Sequence, residues 1–296
     1  MKSISILDIN SFKDLEADSF YCNVFSQHVK AHHKAITIPH KHNFYLCVLF
    51  THGSGTHEID FNTYKIKPGK VFFLKPGQTH HWVLSEDIEG YILFHSFDFY
   101  NLEFTTQSIS DFPFYFSNHS SPTLHLNPIE SSGIESLFKE ILCENYQRER
   151  YKKQKINHLL GILYIELSRF YLAKSDQKTA NASKNNYYLH QLESHLENNF
   201  SRIKSPAAYA DLLNISVRHL NRITQELIGK STTQVINERI ILEAKRILLY
   251  KEIPLKDVSF QLGFEEYSYF SRVFKQYTGT TPKEFRNSYL NKDSNN

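Results

Sequence analysis

The strongest constraint in the chain is a pair of related segments. "RHLNRITQELIGKSTTQVIN" (218–237) and "SYFSRVFKQYTGTTPKEFRN" (268–287) align with Arg222 on Arg272, Ile223 on Val273, Gly229 on Gly279 and Asn237 on Asn287, a constant offset of fifty residues. Arrays of stacked helical repeats use periods of this size but need at least three copies to bury a continuous core. Two copies therefore imply a paired device.

A short helix and a tight turn are predicted before each copy. In the first, Pro206 opens a helix through Leu213, Asn214-Ile215 turns, and Ser216 caps a second helix that keeps Leu220, Ile223 and Leu227 on one face. Ala210 leaves room for two helices to cross steeply, the geometry of a helix-turn-helix. In the second copy Leu255 to Leu262 is the first helix, Ser259 the small residue, Gly263 the turn and Glu266 to Tyr277 the second helix, and its turn is one residue longer. The spacing puts Phe264, Phe270, Val273 and Phe274 inward and leaves Tyr267, Ser268, Ser271, Arg272 and Lys275 outward. A helix fits the major groove of DNA, and an arginine there can grip guanine through two acceptors. The alternative is a solvated arginine on an ordinary helix; recurrence at Arg222 and Arg272 weighs against it. Thr232 to Tyr250, with neither proline nor glycine, reads as one helix of roughly 28 Å. That approaches the roughly 34 Å between successive major grooves on one face of DNA.

With these segments, the chain resembles the AraC/XylS-type bacterial transcription regulators over about residues 189 to 288, most specifically at "GFEEYSYFSRVFKQYTGTTPKEFR". The resemblance implies that each second helix reads a major groove. Matched by position, the base-contacting residues are Arg218, Asn221 and Arg222 in the first helix and Tyr267, Ser268 and Arg272 in the second. A double-stranded DNA operator and, as a family expectation, RNA polymerase are the implied partners.

The rest of the chain divides at "KSDQKTANASKNN" (174–186), whose polar, aperiodic composition is that of a linker between a domain at 1–173 and one at 187–290. Residues 34 to 99 carry short runs rich in Ile, Val, Phe and Tyr between turn signals at "THGSG", "FNTY", "KPGK" and "KPGQ", an all-β signature. "THEIDF" alternates as a half-buried strand, with Ile59 and Phe61 on one face. The period then becomes helical, first at Ile134, Leu137, Phe138, Ile141 and Leu142, then at Ile156, Leu159, Leu160, Leu163, Leu167 and Phe170. This second stripe either packs within its own domain or forms a homodimer interface within 131–172.

"IPHKHNFYLCVLFTHGSGTHEIDFNTYKIKPGKVFFLKPGQTHHW" resembles the cupin-like β-barrel at the front of many such regulators. The fold class expected is thus a cupin-like β-barrel with trailing α-helices, followed by an all-α double helix-turn-helix. Metal-binding cupins carry His-x-His, a nearby carboxylate and a further His. Here His40, His42 and His80 remain, but Leu46 and Cys47 stand where the carboxylate would fall. Cys47 could complete a three-histidine metal site, since imidazole and thiolate both suit zinc. The preferred expectation is no metal and no cofactor, with a small organic effector held near His40, His42, Phe44, His80 and Trp82. His57, His81 and His95 are read as strand-surface or core residues. The rival function is a metal-dependent cupin enzyme or metal sensor.

Composition narrows the classes further. Lys+Arg exceed Asp+Glu by only 34 to 31, a weak electrostatic footprint, although the whole excess lies after residue 184. No run of eighteen apolar residues and no secretory signal is evident, and three scattered cysteines suit a reducing compartment. A cytoplasmic regulator without enzymatic activity is the expectation.

Overall fold

A computed structural model describes residues 6–9, 19–36, 38–101, 103, 108–117, 119–174, 182–249 and 253–292. The chain forms two compact units, one over Ser5–Lys178 and the other over Thr179–Asn296.

The first unit is built on strands β1 (Ile6–Leu7), β2 (Phe20–Val24), β3 (Lys41–His42), β4 (Tyr45–His52), β5 (Gly55–Ile59), β6 (Asn62–Ile66), β7 (Lys70–Leu74), β8 (His80–Leu84), β9 (Glu89–His95) and β10 (Thr123–His125). Five of them form an antiparallel sheet in the order β10-β7-β4-β9-β2, and three more form a sheet in the order β6-β5-β8. β1 and β3 make a short parallel pair. Among the described residues the sheets stay separate, so the expected barrel is an open, sheet-rich arrangement rather than a closed one.

The five-stranded sheet is buried on both faces, which explains why β4 reads as one apolar run. Strand periodicity sorts its residues. Leu46, Val48 and Phe50 join Phe72, Phe94, Trp82 and Ile59 in one core. Cys47 and Leu49 face the other way, into a core with Phe73, Leu93, Phe138 and Leu160. Two helices supply that second core: α4 (Pro128–Tyr146), opened by an Asn127 capping box, and α5 (Lys152–Lys174). Ile134, Phe138, Ile141, Ile156, Leu159, Leu160, Leu163 and Leu167 are all buried there, so the predicted stripe packs inside its own unit.

Two local expectations change. Phe61 is not a strand residue: Asp60 and Phe61 have φ of 44° and 70° and form the two-residue turn of the β5–β6 hairpin. Asp60 Oδ1 accepts from Thr79 N–H at 3.1 Å, which anchors that turn. Ahead of the sheets, α1 (Phe25–Ile36) is a helix with no counterpart in the sequence reading. Short helices α2 (Phe97–Asn101) and α3 (Pro113–Phe116) and a 3-10 turn at Ile109–Asp111 also belong to this unit.

The second unit is all-helical: α6 (Ala182–Asn199), α7 (Pro206–Leu212), α8 (Val217–Ile228), α9 (Thr232–Leu248), α10 (Leu255–Gln261), α11 (Tyr267–Thr278) and α12 (Pro282–Lys292). α6 takes up residues 182–186 of the expected linker, Lys174 ends α5, and 175–181 lie outside the described residues. On α9, the buried Arg239 gives Glu197 two hydrogen bonds of 2.8 and 2.7 Å and Glu243 one of 3.0 Å. These carboxylates pair the buried guanidinium, which would otherwise be an uncompensated charge in the interior.

Candidate functional sites

Each helix-turn-helix is set by local chemistry. Ser205 caps α7, and Ser216 caps α8 by accepting from His219 N–H at 3.2 Å. Asn214 and Gly263 occupy the two turns with φ of 53° and 74°. A side chain at Gly263 would meet the Ser201 carbonyl oxygen, so both conformation and close approach require glycine. Gly229 and Gly279, the aligned glycines of the repeat, end α8 and α11 in left-handed C-caps. Five residues separate α10 from α11 and four separate α7 from α8, the one-residue difference seen in the sequence.

The inward stripes are Leu220 and Ile223 on α8 and Phe270 and Phe274 on α11, all buried, with Phe264 beneath them; Leu227 and Val273 are half-buried. On the outward side Arg218, Asn221 and Arg222 are exposed on α8, and Ser268 and Arg272 on α11. Tyr267 is half-buried against Phe270, with ring centroids 6.1 Å apart. Arg222 lies 4.0 Å from Glu226, and the Arg272 guanidinium sits 5.9 Å from the Tyr269 ring centroid. Both arginines stay at the surface.

Asn221 has a structural duty as well: its Oδ1 accepts from Thr232 N–H at 3.0 Å, satisfying a donor in the first turn of α9. A base contact from Asn221 would therefore fall to its Nδ2 donors. Gln225, Lys275 and Gln276 are further exposed residues on the reading helices, and only Lys275 figured in the sequence reading.

The residues expected at an effector site come together, but in the interior. His40, His42, Phe44, His80 and Trp82 are each no more than 2% exposed. His57, which the sequence reading set aside, joins them fully buried. The register pairs His57 with Trp82 and Ile59 with His80, so the alternation that turned Ile59 inward carried His57 with it. His40 Nδ1–H donates to the Ile38 carbonyl and His42 Nδ1–H to the Phe44 carbonyl, at 2.9 and 2.8 Å. His57 Nε2 and His80 Nδ1 share a hydrogen bond of 3.0 Å. His42 Nε2, His57 Nδ1, His80 Nε2 and Trp82 Nε1 are buried and have no hydrogen-bond partner among the described residues.

Burial, reinforced by the neighbouring imidazoles, pushes His42 down to about 3. It pushes His40 down to about 4, and His57 and His80 lie well below the ordinary histidine value. These rings are neutral in the folded chain. Among the described residues no group of three or more His, Cys, Asp or Glu side chains is placed to hold a metal ion. Cys47 cannot complete a set with them, because it faces the helix side of the sheet, where burial holds its thiol well above the ordinary range. His95 is a core residue, its Nδ1–H donating to the Ser96 carbonyl and its Nε2 accepting from Tyr164 O–H at 2.9 Å.

Comparison with known proteins adds to this geometry. An AraC-like ligand binding domain model matches residues 25–141, and a helix-turn-helix domain model matches 209–288. The uncharacterized HTH-type transcriptional regulator YfiF of Bacillus subtilis (strain 168) is 26% identical over 268 residues, covering 87% of this chain and 81% of that protein. The HTH-type transcriptional activator RhaR of Escherichia coli O6:K15:H31 is 22% identical over 255 residues, covering 86% and 88%. Among solved structures, unsaturated fatty acid bound ToxT from Vibrio cholerae aligns with a TM-score of 0.44 at 16% identity, over 93% of this chain and 97% of that one.

Proposed function

The chain belongs to the AraC-type transcription regulators, with a ligand-binding domain followed by a DNA-binding one, and from that premise we propose how its residues divide the work. α8 and α11 enter two successive major grooves. Arg218, Asn221 and Arg222 make base contacts in one, and Tyr267, Ser268 and Arg272 in the other. α9, at 17 residues and about 1.5 Å per residue, is a rod of roughly 25 Å that spaces the readers. The observation that carries this reading is the exposure of Arg222 and Arg272 at equivalent places of two helix-turn-helix motifs built on one rod.

Residues 1–173 receive a small effector, 174–186 join the two functions, and 187–290 bind DNA. Effector binding shifts the population competent for paired sites. The protein acts in the cytoplasm as a homodimer and works with RNA polymerase, and we assign it no catalytic reaction. In support of the cytoplasmic reading, no helix among the described residues is long and apolar enough to cross a membrane.

The dimer contact within 131–172 falls to a second stripe of α5. His158, Ile162, Ile165, Arg169 and Leu172 recur at alternating spacings of four and three. Ile162, Ile165 and Leu172 are 47%, 40% and 53% exposed, whereas the stripe behind them is buried.

The test is a titration of the purified protein against DNA at increasing salt. If six to ten phosphates are neutralised, affinity should fall by about three to five orders of magnitude between 50 and 200 mM salt. Salt-independent or sequence-independent binding would remove the reading.

A further inference from the structure

We propose that a cavity where α4 meets α5 binds a small amphipathic carboxylate. The cavity, of about 300 Å³, lies wholly within the first unit. Its floor is apolar: Phe20 of the edge strand β2, Phe99 of α2 and Ile156 of α5, with Phe20 and Phe99 stacked at 5.0 Å. Its rim is cationic. Lys152 and Lys153 line it, and the Lys153 ammonium stands 5.7 Å from the centroid of the Phe99 ring.

These lysines belong to a basic segment, "QRERYKKQK" (147–155), which holds five cationic residues against Glu149 alone. Lys155 is engaged by Glu144 at 2.7 Å, and Lys152 donates to the Asn145 carbonyl at 2.6 Å. Among the lining residues the two lysines outnumber Glu149, so the mouth has a net positive charge.

A second observation points to the same place. Tyr151, also in the lining, holds φ of 63° and is 74% exposed. A bulky side chain in the left-handed region is an outlier, and such residues cluster where ligands are clamped. Tyr151 thus offers an exposed phenol at the rim of a cavity whose floor is apolar.

Volume and chemistry together select the ligand class. About 300 Å³ is the lower end of small-molecule pockets, enough for one aromatic ring or a short acyl chain. The Phe20–Phe99 floor takes the apolar part and the lysines take the carboxylate. As an effector site the cavity rests on the regulator reading above; as a binding site it does not.

The experiment is ligand-observed NMR on the full-length protein with benzoate, cinnamate and octanoate as probes, benzamide as a neutral control and inorganic phosphate as an anion without an apolar part. At least one carboxylate should bind saturably, with benzamide and phosphate at least about tenfold weaker. Lys153→Gln, at an exposed residue, should weaken the carboxylate about tenfold with the fold unchanged. Tyr151→Gly, which relieves the positive φ, should weaken it while raising thermal stability. No saturable carboxylate binding at about 10 mM, or no loss in Lys153→Gln, overturns the assignment. Phosphate bound as well as the carboxylates would also overturn it, and would make the segment a surface for phosphate backbones or anionic lipid. Binding to DNA by the same preparation separates the two claims, since a regulator without this pocket still binds its operator.

Discussion

His57 Nε2 and His80 Nδ1 meet at 3.0 Å in the interior of the first unit, a hydrogen bond between imidazoles on neighbouring strands. His40 and His42 pack against His80 with ring centroids 4.3 and 5.0 Å away. Such a cluster stays buried only while it is neutral. The folded values of these histidines lie below the unfolded value of about 6.5, so the unfolded state takes up protons first. Stability is therefore complete above about pH 6.5 and should fall as the pH drops toward the folded value of about 4 for His40. Each imidazole contributes up to about 1.4 kcal/mol per pH unit. Urea midpoints for the first unit measured from pH 7 to pH 4 check this, and a His57→Phe variant should show a shallower decline. A midpoint that does not move over that range would contradict the neutral-cluster account.

Gly263 and Gly229 should respond differently to alanine although both have positive φ. At Gly263 the new methyl group would collide with the Ser201 carbonyl, while at Gly229 it meets nothing within 4 Å. Gly229→Ala should cost about 1 kcal/mol, and Gly263→Ala should exceed about 3 kcal/mol or fail to fold its module. Thermal denaturation of the second unit distinguishes them, and equal costs would remove the close-approach argument.

Asn221 and Arg222 are neighbours on α8 with separable roles. Asn221→Ala removes the acceptor for Thr232 N–H and should cost about 1 kcal/mol of stability as well as weakening DNA binding. Arg222→Ala should leave stability within about 0.5 kcal/mol. Chemical denaturation alongside DNA binding checks the pair, and an Asn221→Ala protein of parental stability would return Asn221 to a purely base-reading role.

The outer stripe of α5 should govern association. Ile162→Lys with Ile165→Lys places two charges on a face already open to solvent, so the fold should persist while a dimer dissociates. Sedimentation velocity at several concentrations gives the answer. A double variant as dimeric as the parent would move the contact elsewhere.

These outcomes depend unequally on what could be read along the chain. The helix-turn-helix pair was legible because its signals are local: Ser216 caps, Gly229 and Gly279 terminate, and Phe270 and Phe274 recur at helical spacing. In the first unit the decisive facts are non-local. That Cys47 and Leu46 face different cores follows from alternation, but which core holds the histidines depends on how the strands pair. For His57 the sequence left strand surface and core both open, because a histidine within "THEIDF" carries no apolar signal, and the pairing with Trp82 decides for the core. On α5 two stripes fit the heptad spacing, and only packing against α4 and the sheet decides that Leu160 and Leu163 are inside while Ile162 and Ile165 are outside. Phe61 was assigned to a strand because alternation continues through the two-residue turn.

The most direct test of the paired-reader account is selection of bound sequences from a random double-stranded DNA pool by the full-length protein, with Arg222→Ala and Arg272→Ala in parallel. The account predicts a motif of two blocks about one helical turn apart, roughly 34 Å along the duplex. Each variant should lose preference in a different block, at about 1 to 3 kcal/mol for a base-reading arginine. A single block, or two variants that weaken all sequences alike, would contradict it.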